Sequence, residues 1–399
     1  MSQPHIEELS LCIEEALREG AFAAAQSAVI VDGELVHVSA HGGDENGRVS
    51  AASIFDVASL TKMVCTTTVT AILVAQGKLE LHAPVARYLP AFAANEKGEV
   101  TVRDLLAHTS GLSAWEPLFL EAMRHPIAGP VWPASDCLMA GTRRAAFTAS
   151  RALILKRVMG APLTRPRGER VYSDLGFIVL GHLCEVVASK PLDALFVDLV
   201  ARPLGLDGTR FHGLGEFRSS FADRHIVVTG TTRPREPAPG QTYSVPRQPP
   251  RAYPGDVDDD NAYALGGVAG HAGLFSTATD MARYGSALIE EIGGATRLGA
   301  GETLAQFAKE DTESTGPKRA LGFDMPSGDS SSAGTFMGRG PRGAVGHLGF
   351  TGCSLWVDLE LCLSVALLSN RVFPSRRNVD GINLLRPKFH DLVCRMTSG

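Results

Sequence analysis

The 399-residue chain is poor in the features that mark membrane, secreted and nucleic-acid-binding proteins. No uninterrupted apolar stretch reaches the roughly 20 residues that a bilayer-spanning helix needs. The most apolar run, residues 63–75, is interrupted by threonines and ends at Gln76-Gly77-Lys78. The N-terminus lacks a basic segment followed by an apolar one, so it does not read as a secretory signal. Ile6, Leu9, Ile13, Ala16 and Leu17 instead line one face of an amphipathic helix. The seven cysteines (Cys12, Cys65, Cys137, Cys184, Cys353, Cys362 and Cys394) are odd in number and scattered, mostly in apolar contexts. They read as buried reduced thiols, which points to a cytoplasmic protein. A basic excess is also missing. The net charge is −5 and the pI near 6.2, so neither nucleic acid nor an anionic membrane is an expected partner.

Hydrophobic residues make up 44% of the chain and charged residues 20%, enough apolar material for a sizeable core. Residues 25–31 and 35–40 flank Asp32-Gly33, a strong two-residue hairpin signal. From Ile54 to about Met139 the pattern predicts mainly helix, with a capped start at Thr101-Val102-Arg103-Asp104. Further helices are expected over 145–160 and 174–190, and from Thr279. Residues 343–350, 354–359 and 361–369 read as antiparallel strands, followed by a final helix over about 379–396. Two stretches, 229–256 and 312–343, are so rich in Pro, Gly and Ser that irregular loops are expected, with a part in substrate choice. No internal repeat is present.

Ser59-Leu60-Thr61-Lys62 opens the apolar run at residue 63. Hydroxyl and amine three residues apart share a helical face, about one turn apart. A serine needs a nearby base to become a nucleophile. A lysine at the edge of a buried helix can supply one if desolvation lowers its pKa. The helix start would also present free backbone N–H groups to an oxyanion at Ser59. Taken alone, such a serine is more often a helix cap.

Two more elements follow in order. Tyr172-Ser173-Asp174 stands where a loop meets a helix, and a tyrosine beside cations can move protons. An N-cap at Ser173 or Asp174 is the plainer explanation. His347-Leu348-Gly349-Phe350 lies at the head of the C-terminal strands, where glycine lets a substrate approach the backbone.

The ordered set of S-x-x-K, Tyr-Ser-Asp and His-x-Gly resembles the serine β-lactamases and penicillin-binding proteins, in particular the branch of class C β-lactamases, D-aminopeptidases and related esterases. Residues 55–58, 105–112 and 203–206, with Thr209, fit the same branch, and so do 261–276 and 346–358. The likeness covers about residues 25–395.

The resemblance implies an α/β, β-lactamase/transpeptidase-like fold: an antiparallel sheet built from both chain ends, flanked by helices, with an inserted and mostly helical region. The expected division is 1–56 with about 275–399, and about 57–274. Ser59 would be the nucleophile, with Lys62 and Tyr172 relaying its proton. The N–H groups of Ser59 and Phe350 would form the oxyanion hole, while Asp174, His347 and Gly349 would line the substrate site. No metal or cofactor is implied.

Two departures shape the substrate. Asp174 stands where the family commonly has asparagine, and a carboxylate accepts hydrogen bonds but cannot donate them. It would either alter a substrate contact or pair with Lys62. His347 stands where β-lactamases carry lysine, which removes a charge that would hold an antibiotic carboxylate. Small ester or amide substrates are therefore expected. D-peptide or peptidoglycan-fragment cleavage, weak β-lactam hydrolysis and a non-catalytic acyl-ligand-binding module are the alternatives. Asp256, Asp258, Asp259 and Asp260 read as a solvated, helix-capping loop rather than a cation site. The glycine run at 264–274 lacks a nucleotide-binding pattern. His271 within it is expected near the cleft, with no role assigned.

Overall fold

Asp32 and Gly33 take φ of 48° and 81°, the pair of left-handed residues that a two-residue hairpin needs. They join strand β1 (Ala24–Val31) to β2 (Glu34–Asp44), with Val31 opposite Glu34. The computed structural model describes residues 3–129, 132, 140–213, 224–230, 232–244, 255–328 and 331–397. Its other strands are β3 (Gly47–Arg48), β4 (Phe55–Asp56), β5 (Arg210–Phe211), β6 (Leu274–Ser276), β7 (Arg319–Ala320), β8 (Phe323–Asp324), β9 (Ala344–Leu348), β10 (Ser354–Asp358) and β11 (Leu363–Ser369).

The large sheet runs β3-β2-β1-β11-β10-β9-β8-β7, so the N-terminal hairpin lies directly against the last strand. β1 and β11 are antiparallel, with Ala28 opposite Ala366. The expected antiparallel sheet from both chain ends is present. Alternation sends residues to two cores. Val29, Trp356, Val365 and Leu367 meet Leu9, Ile13, Phe389 and Val393 of the helices Gln3–Arg18 and Asp380–Thr397. Ala28, Ile30, Leu355, Val357, Ala366 and Leu368 face the helix Ala278–Ile292 and the helical region behind it. Each fully buried Leu, Val or Ile side chain contributes about 1.5–3 kcal/mol. Gly285 lets that helix sit close to β11, since a Cβ there would lie 2.1 Å from Ser364 Oγ.

The helices Ala140–Met159, Asp174–Ala188 and Ala278–Ile292 match the expected ones. The third is capped by Thr277, whose hydroxyl accepts from Asp280 N at 3.1 Å. Thr101 and Asp104 form the anticipated capping box.

Three readings need correction. Residues 54–139 are not mainly helical: outside the helix Lys62–Ala75 they hold β4, short helices and helical turns, and irregular segments among the described residues. The 312–343 stretch is not all loop, because β7 and β8 extend the sheet there. A second sheet, β4-β6-β5, went unanticipated, since its two- and three-residue strands carry no periodic pattern.

The glycine run 264–274 serves packing: a Cβ on Gly270 would lie 2.1 Å from Phe177 O. Five described cysteines are buried and Cys362 is partly exposed, while Cys137 lies outside the described residues. Among the described residues no single helix is long and apolar enough to cross a membrane.

Candidate active site

Ser59 follows a strained residue. Ala58 has φ of 47°, a conformation that costs an L-residue with a Cβ roughly 1–2 kcal/mol. Asp56 holds it there by accepting Ala58 N at 2.8 Å and, on its other oxygen, Asp258 N at 2.6 Å. Burial pushes the Asp56 carboxyl up to about 7, against those two hydrogen bonds. From Ser59 the chain turns straight into Lys62–Ala75, which opens with a π-helical turn over Lys62–Thr67, a widening often found at functional sites. Its buried hydroxyls are satisfied: Thr66 donates to Gly270 O at 2.7 Å, and Thr70 to Thr66 O at 2.7 Å.

Lys62 is fully buried. Its Nζ donates to Ser59 Oγ at 2.8 Å and to His271 O at 3.0 Å, and stands 2.7 Å from Asp174 Oδ1. The helix Asp174–Ala188 supplies that carboxylate from its first residue. Ser173 caps the helix, accepting from Gly176 N at 3.2 Å, so the capping reading holds without excluding a role for its neighbours. Burial alone would lower the lysine pKa, but the charges of Asp174 and Tyr172 outweigh it and the net shift is upward. The sequence expectation of a depressed lysine is therefore overturned. Lys62 rests as an ammonium, because the residue that replaces the usual asparagine is ionisable.

Tyr172 lies at the centre of the cluster. Its ring centroid is 4.8 Å from Lys62 Nζ, 5.0 Å from Arg319 Cζ, 4.7 Å from the His108 ring and 5.9 Å from the His347 ring. Both histidines are buried, and burial with the nearby Lys62 and Arg319 charges holds them well below the usual histidine range. They are neutral at pH 7. His108 Nδ1 accepts from Ser173 N at 3.0 Å, so its proton is on Nε2. His347 Nδ1 lies 2.8 Å from Leu348 O, a carbonyl that can only accept, which leaves Nε2 as a buried lone pair with no partner among the described residues.

Gly349 closes the far side. Its N–H donates to Cys353 O at 2.7 Å, and a Cβ on it would lie 2.6 Å from Val57 O, so only glycine brings this strand end against the nucleophile segment. Thr351 Oγ1 donates to Asp56 O at 2.7 Å and ties the same turn down. The N–H groups of Ser59 and Phe350 form no hydrogen bond among the described residues.

A cleft of about 400 Å³ is lined by Ser59, Tyr172, Asp174, His347, Gly349 and Phe350. Lys62 sits behind its floor, so all seven residues singled out in the sequence converge here. Ala238, Gln241, Arg319 and Asp324, from the two Pro- and Gly-rich stretches, form other walls. Arg319 pairs with Asp324, and burial lowers its guanidinium to about 10. The sequence contained no signal for Arg319 or Asp324 beyond their lying in a long loop. His108 carries no sequence signal of its own beyond lying in the family-like segment 105–112.

The acidic run is not solvated, which corrects the second electrostatic expectation. Asp258 and Asp260 are buried against Arg233, Arg235 and Arg376; Arg233 Nη1 is 2.6 Å from Asp260 Oδ1 and Arg376 Nη2 is 3.1 Å from Asp258 Oδ2. Helix capping does hold for Asp259, which accepts from Ala262 N and lies 2.9 Å from His271 Nε2. No group of three or more potential metal ligands occurs among the described residues.

The model of the Beta-lactamase family matches residues 9–386. Proteins of Salmonella gallinarum and Salmonella typhi that carry the provisional name D-alanyl-D-alanine carboxypeptidase are each 29% identical over 336 residues, covering 81% of this chain and 71% of theirs. Three solved structures share the fold. EstCE1, described as a hydrolase with promiscuous acyltransferase activity, is 23% identical with a TM-score of 0.67, covering 98% of this chain and 99% of its own. An octameric penicillin-binding protein homologue from Pyrococcus abyssi is 20% identical with a TM-score of 0.66, covering 98% and 77%. A class C beta-lactamase is 14% identical with a TM-score of 0.66, covering 97% and 96%.

Proposed function

Because the chain belongs to the beta-lactamase family, we propose that it is a serine hydrolase that forms an acyl-enzyme on Ser59 and cleaves small ester or amide substrates. The carrying observation is the buried Lys62 Nζ, 2.8 Å from Ser59 Oγ, beneath a cleft that also presents Tyr172. The resting Lys62 ammonium first releases a proton from the site to solvent, and the resulting amine acts as the base. It takes the Ser59 proton as Oγ bonds to the substrate carbonyl carbon, and the carbonyl electron pair moves to oxygen. Donors at Ser59 and Phe350 stabilise that oxyanion. The proton then passes through Tyr172 to the leaving oxygen or nitrogen as its bond to carbon breaks. Water repeats the sequence on the ester and frees Ser59. The neutral His347 shapes the cleft without supplying the charge that an antibiotic carboxylate would need.

One observation favours a second reading, a D-alanyl-type carboxypeptidase as in the name carried by the Salmonella proteins. Arg371 lines the cleft above the Phe350 ring, 4.3 Å away. It donates to the carbonyls of Arg376 and Asn378 and forms no ion pair among the described residues. A guanidinium so placed suits a substrate carboxylate. The test is turnover of p-nitrophenyl butyrate beside release of D-alanine from an acyl-D-alanyl-D-alanine peptide, in wild type and Arg371→Ala. Ester turnover that survives the substitution while peptide cleavage falls supports the carboxypeptidase. Ester turnover alone supports the esterase, and neither activity in the wild type contradicts both.

A further inference from the structure

Arg386 is a buried charge with no counter-ion among the described residues. It is 6% exposed, forms no ion pair among the described residues, and burial lowers its guanidinium to about 10. A desolvated cation is expensive to keep unless its hydrogen bonds replace water. Among the described residues Arg386 Nη2 donates to two carbonyls, Gly349 O at 2.9 Å and Cys353 O at 2.7 Å. These are the two sides of the turn that follows β9. Gly349 O also accepts from Gly352 N at 3.0 Å, so both of its lone pairs are occupied.

The carbonyl of Gly349 belongs to the same peptide unit as the N–H of Phe350. In a trans peptide those two groups point in opposite directions. A carbonyl clamped towards the helix Asp380–Thr397 therefore turns the Phe350 N–H away from that helix. A cation on the oxygen also draws electron density through the peptide and makes its N–H a stronger donor. We propose that Arg386 is a positioning residue that fixes and polarises the Gly349–Phe350 peptide as an oxyanion donor. This rests on the Ser59 acyl-transfer reading and adds a residue that borders the cleft but acts through the Gly349–Phe350 peptide rather than on the substrate.

The experiment uses the full chain with Arg386→Gln, which keeps a neutral donor, and Arg386→Lys, which keeps a charge but loses the planar fork. Three quantities are read: kcat and KM for p-nitrophenyl butyrate, the rate of Ser59 labelling by a fluorophosphonate, and the inhibition constant of phenylboronic acid, whose tetrahedral adduct mimics the intermediate. Arg386→Gln should lower kcat and the labelling rate about 100-fold, the scale of one lost oxyanion donor. It should weaken phenylboronic acid in proportion and leave KM within about threefold. Arg386→Lys should lose about tenfold in kcat, and it decides the matter if the glutamine variant does not fold. A rise in KM with kcat unchanged would make Arg386 a substrate-binding residue and overturn the proposal, as would unchanged kcat in a folded variant. Ser59→Ala separates the two claims. If it keeps full turnover and labelling, the acyl-enzyme reading falls; if it is inert while Arg386→Gln is fully active, only the role of Arg386 falls.

Discussion

Two buried charge clusters meet at the cleft, and they are built to opposite ends. Around Asp258 and Asp260, each carboxylate lies against guanidiniums, with Arg376 shared between them. Asp260 also accepts from Arg235 N at 3.0 Å, and Arg376 donates to Glu236 O at 3.2 Å. That network joins residues 233–236, 256–260 and 371–376, which are irregular or nearly so and lack sheet hydrogen bonds to hold them. Around Lys62 a single carboxylate, Asp174, faces the ammonium. One of its three donors is spent on a nucleophile's oxygen, and the two neighbouring histidines are kept uncharged. Charges paired among themselves fix a loop, whereas a lysine that spends a donor on a hydroxyl has a group with which to exchange a proton.

The largest effect should come from Lys62→Met. It removes the base and leaves Asp174, which is 17% exposed, able to take up water. Ester turnover should fall about 10³-fold, equivalent to about 4 kcal/mol of transition-state stabilisation, with little change in the unfolding midpoint. A thermal unfolding scan beside the kinetics checks this, and a large drop in midpoint would erase the contrast between the clusters. Asp258→Ala should do the reverse. Stranding Arg235 and Arg376 should cost about 3–5 kcal/mol of stability, readable by urea unfolding. Protein that remains folded should keep Lys62 paired, with its kcat within a few-fold of wild type.

Tyr172→Phe should lower kcat about 10²-fold while the Arg319 stack persists, so the unfolding midpoint should hold. Stopped-flow acylation kinetics would reveal whether the loss lies in bond formation or in leaving-group departure. The smallest change is Asp174→Asn, which sharpens the comparison by altering one charge. Asp174 raises the Lys62 pKa, and turnover needs the amine, so wild-type kcat should climb from neutral into alkaline pH. Removing the carboxylate lowers that pKa, and the rising limb of the pH–rate profile should move to lower pH. A limb that stays in place, or moves upward, would mean Lys62 does not act as the amine.

Much of the site was legible because its parts are local. Ser59 and Lys62 share one helical face by spacing, and Ser173 at a helix start follows from capping chemistry. β9, β10 and β11 were readable as short, mostly apolar runs between turns. What escaped depends on contacts between distant segments. Asp174 reverses the lysine shift only because two helices bring it within 2.7 Å of Nζ. The Asp258–Asp260 run looked solvated because nothing local says that Arg233 and Arg376 will fold onto it. Arg319 and Asp324 were hidden in a stretch whose glycines and prolines mask two short sheet strands. Arg386, one residue before Pro387 in the last helix, gave no sign that it reaches back to Gly349.

The central claim is that Ser59 carries the acyl group, and intact-protein mass spectrometry after brief exposure to p-nitrophenyl acetate, trapped with acid, addresses it directly. A single added acetyl group, mapped to the peptide holding Ser59 and missing from Ser59→Ala, is the expected result. An adduct that persists in Ser59→Ala, or that maps to another residue while ester turnover continues, would contradict it.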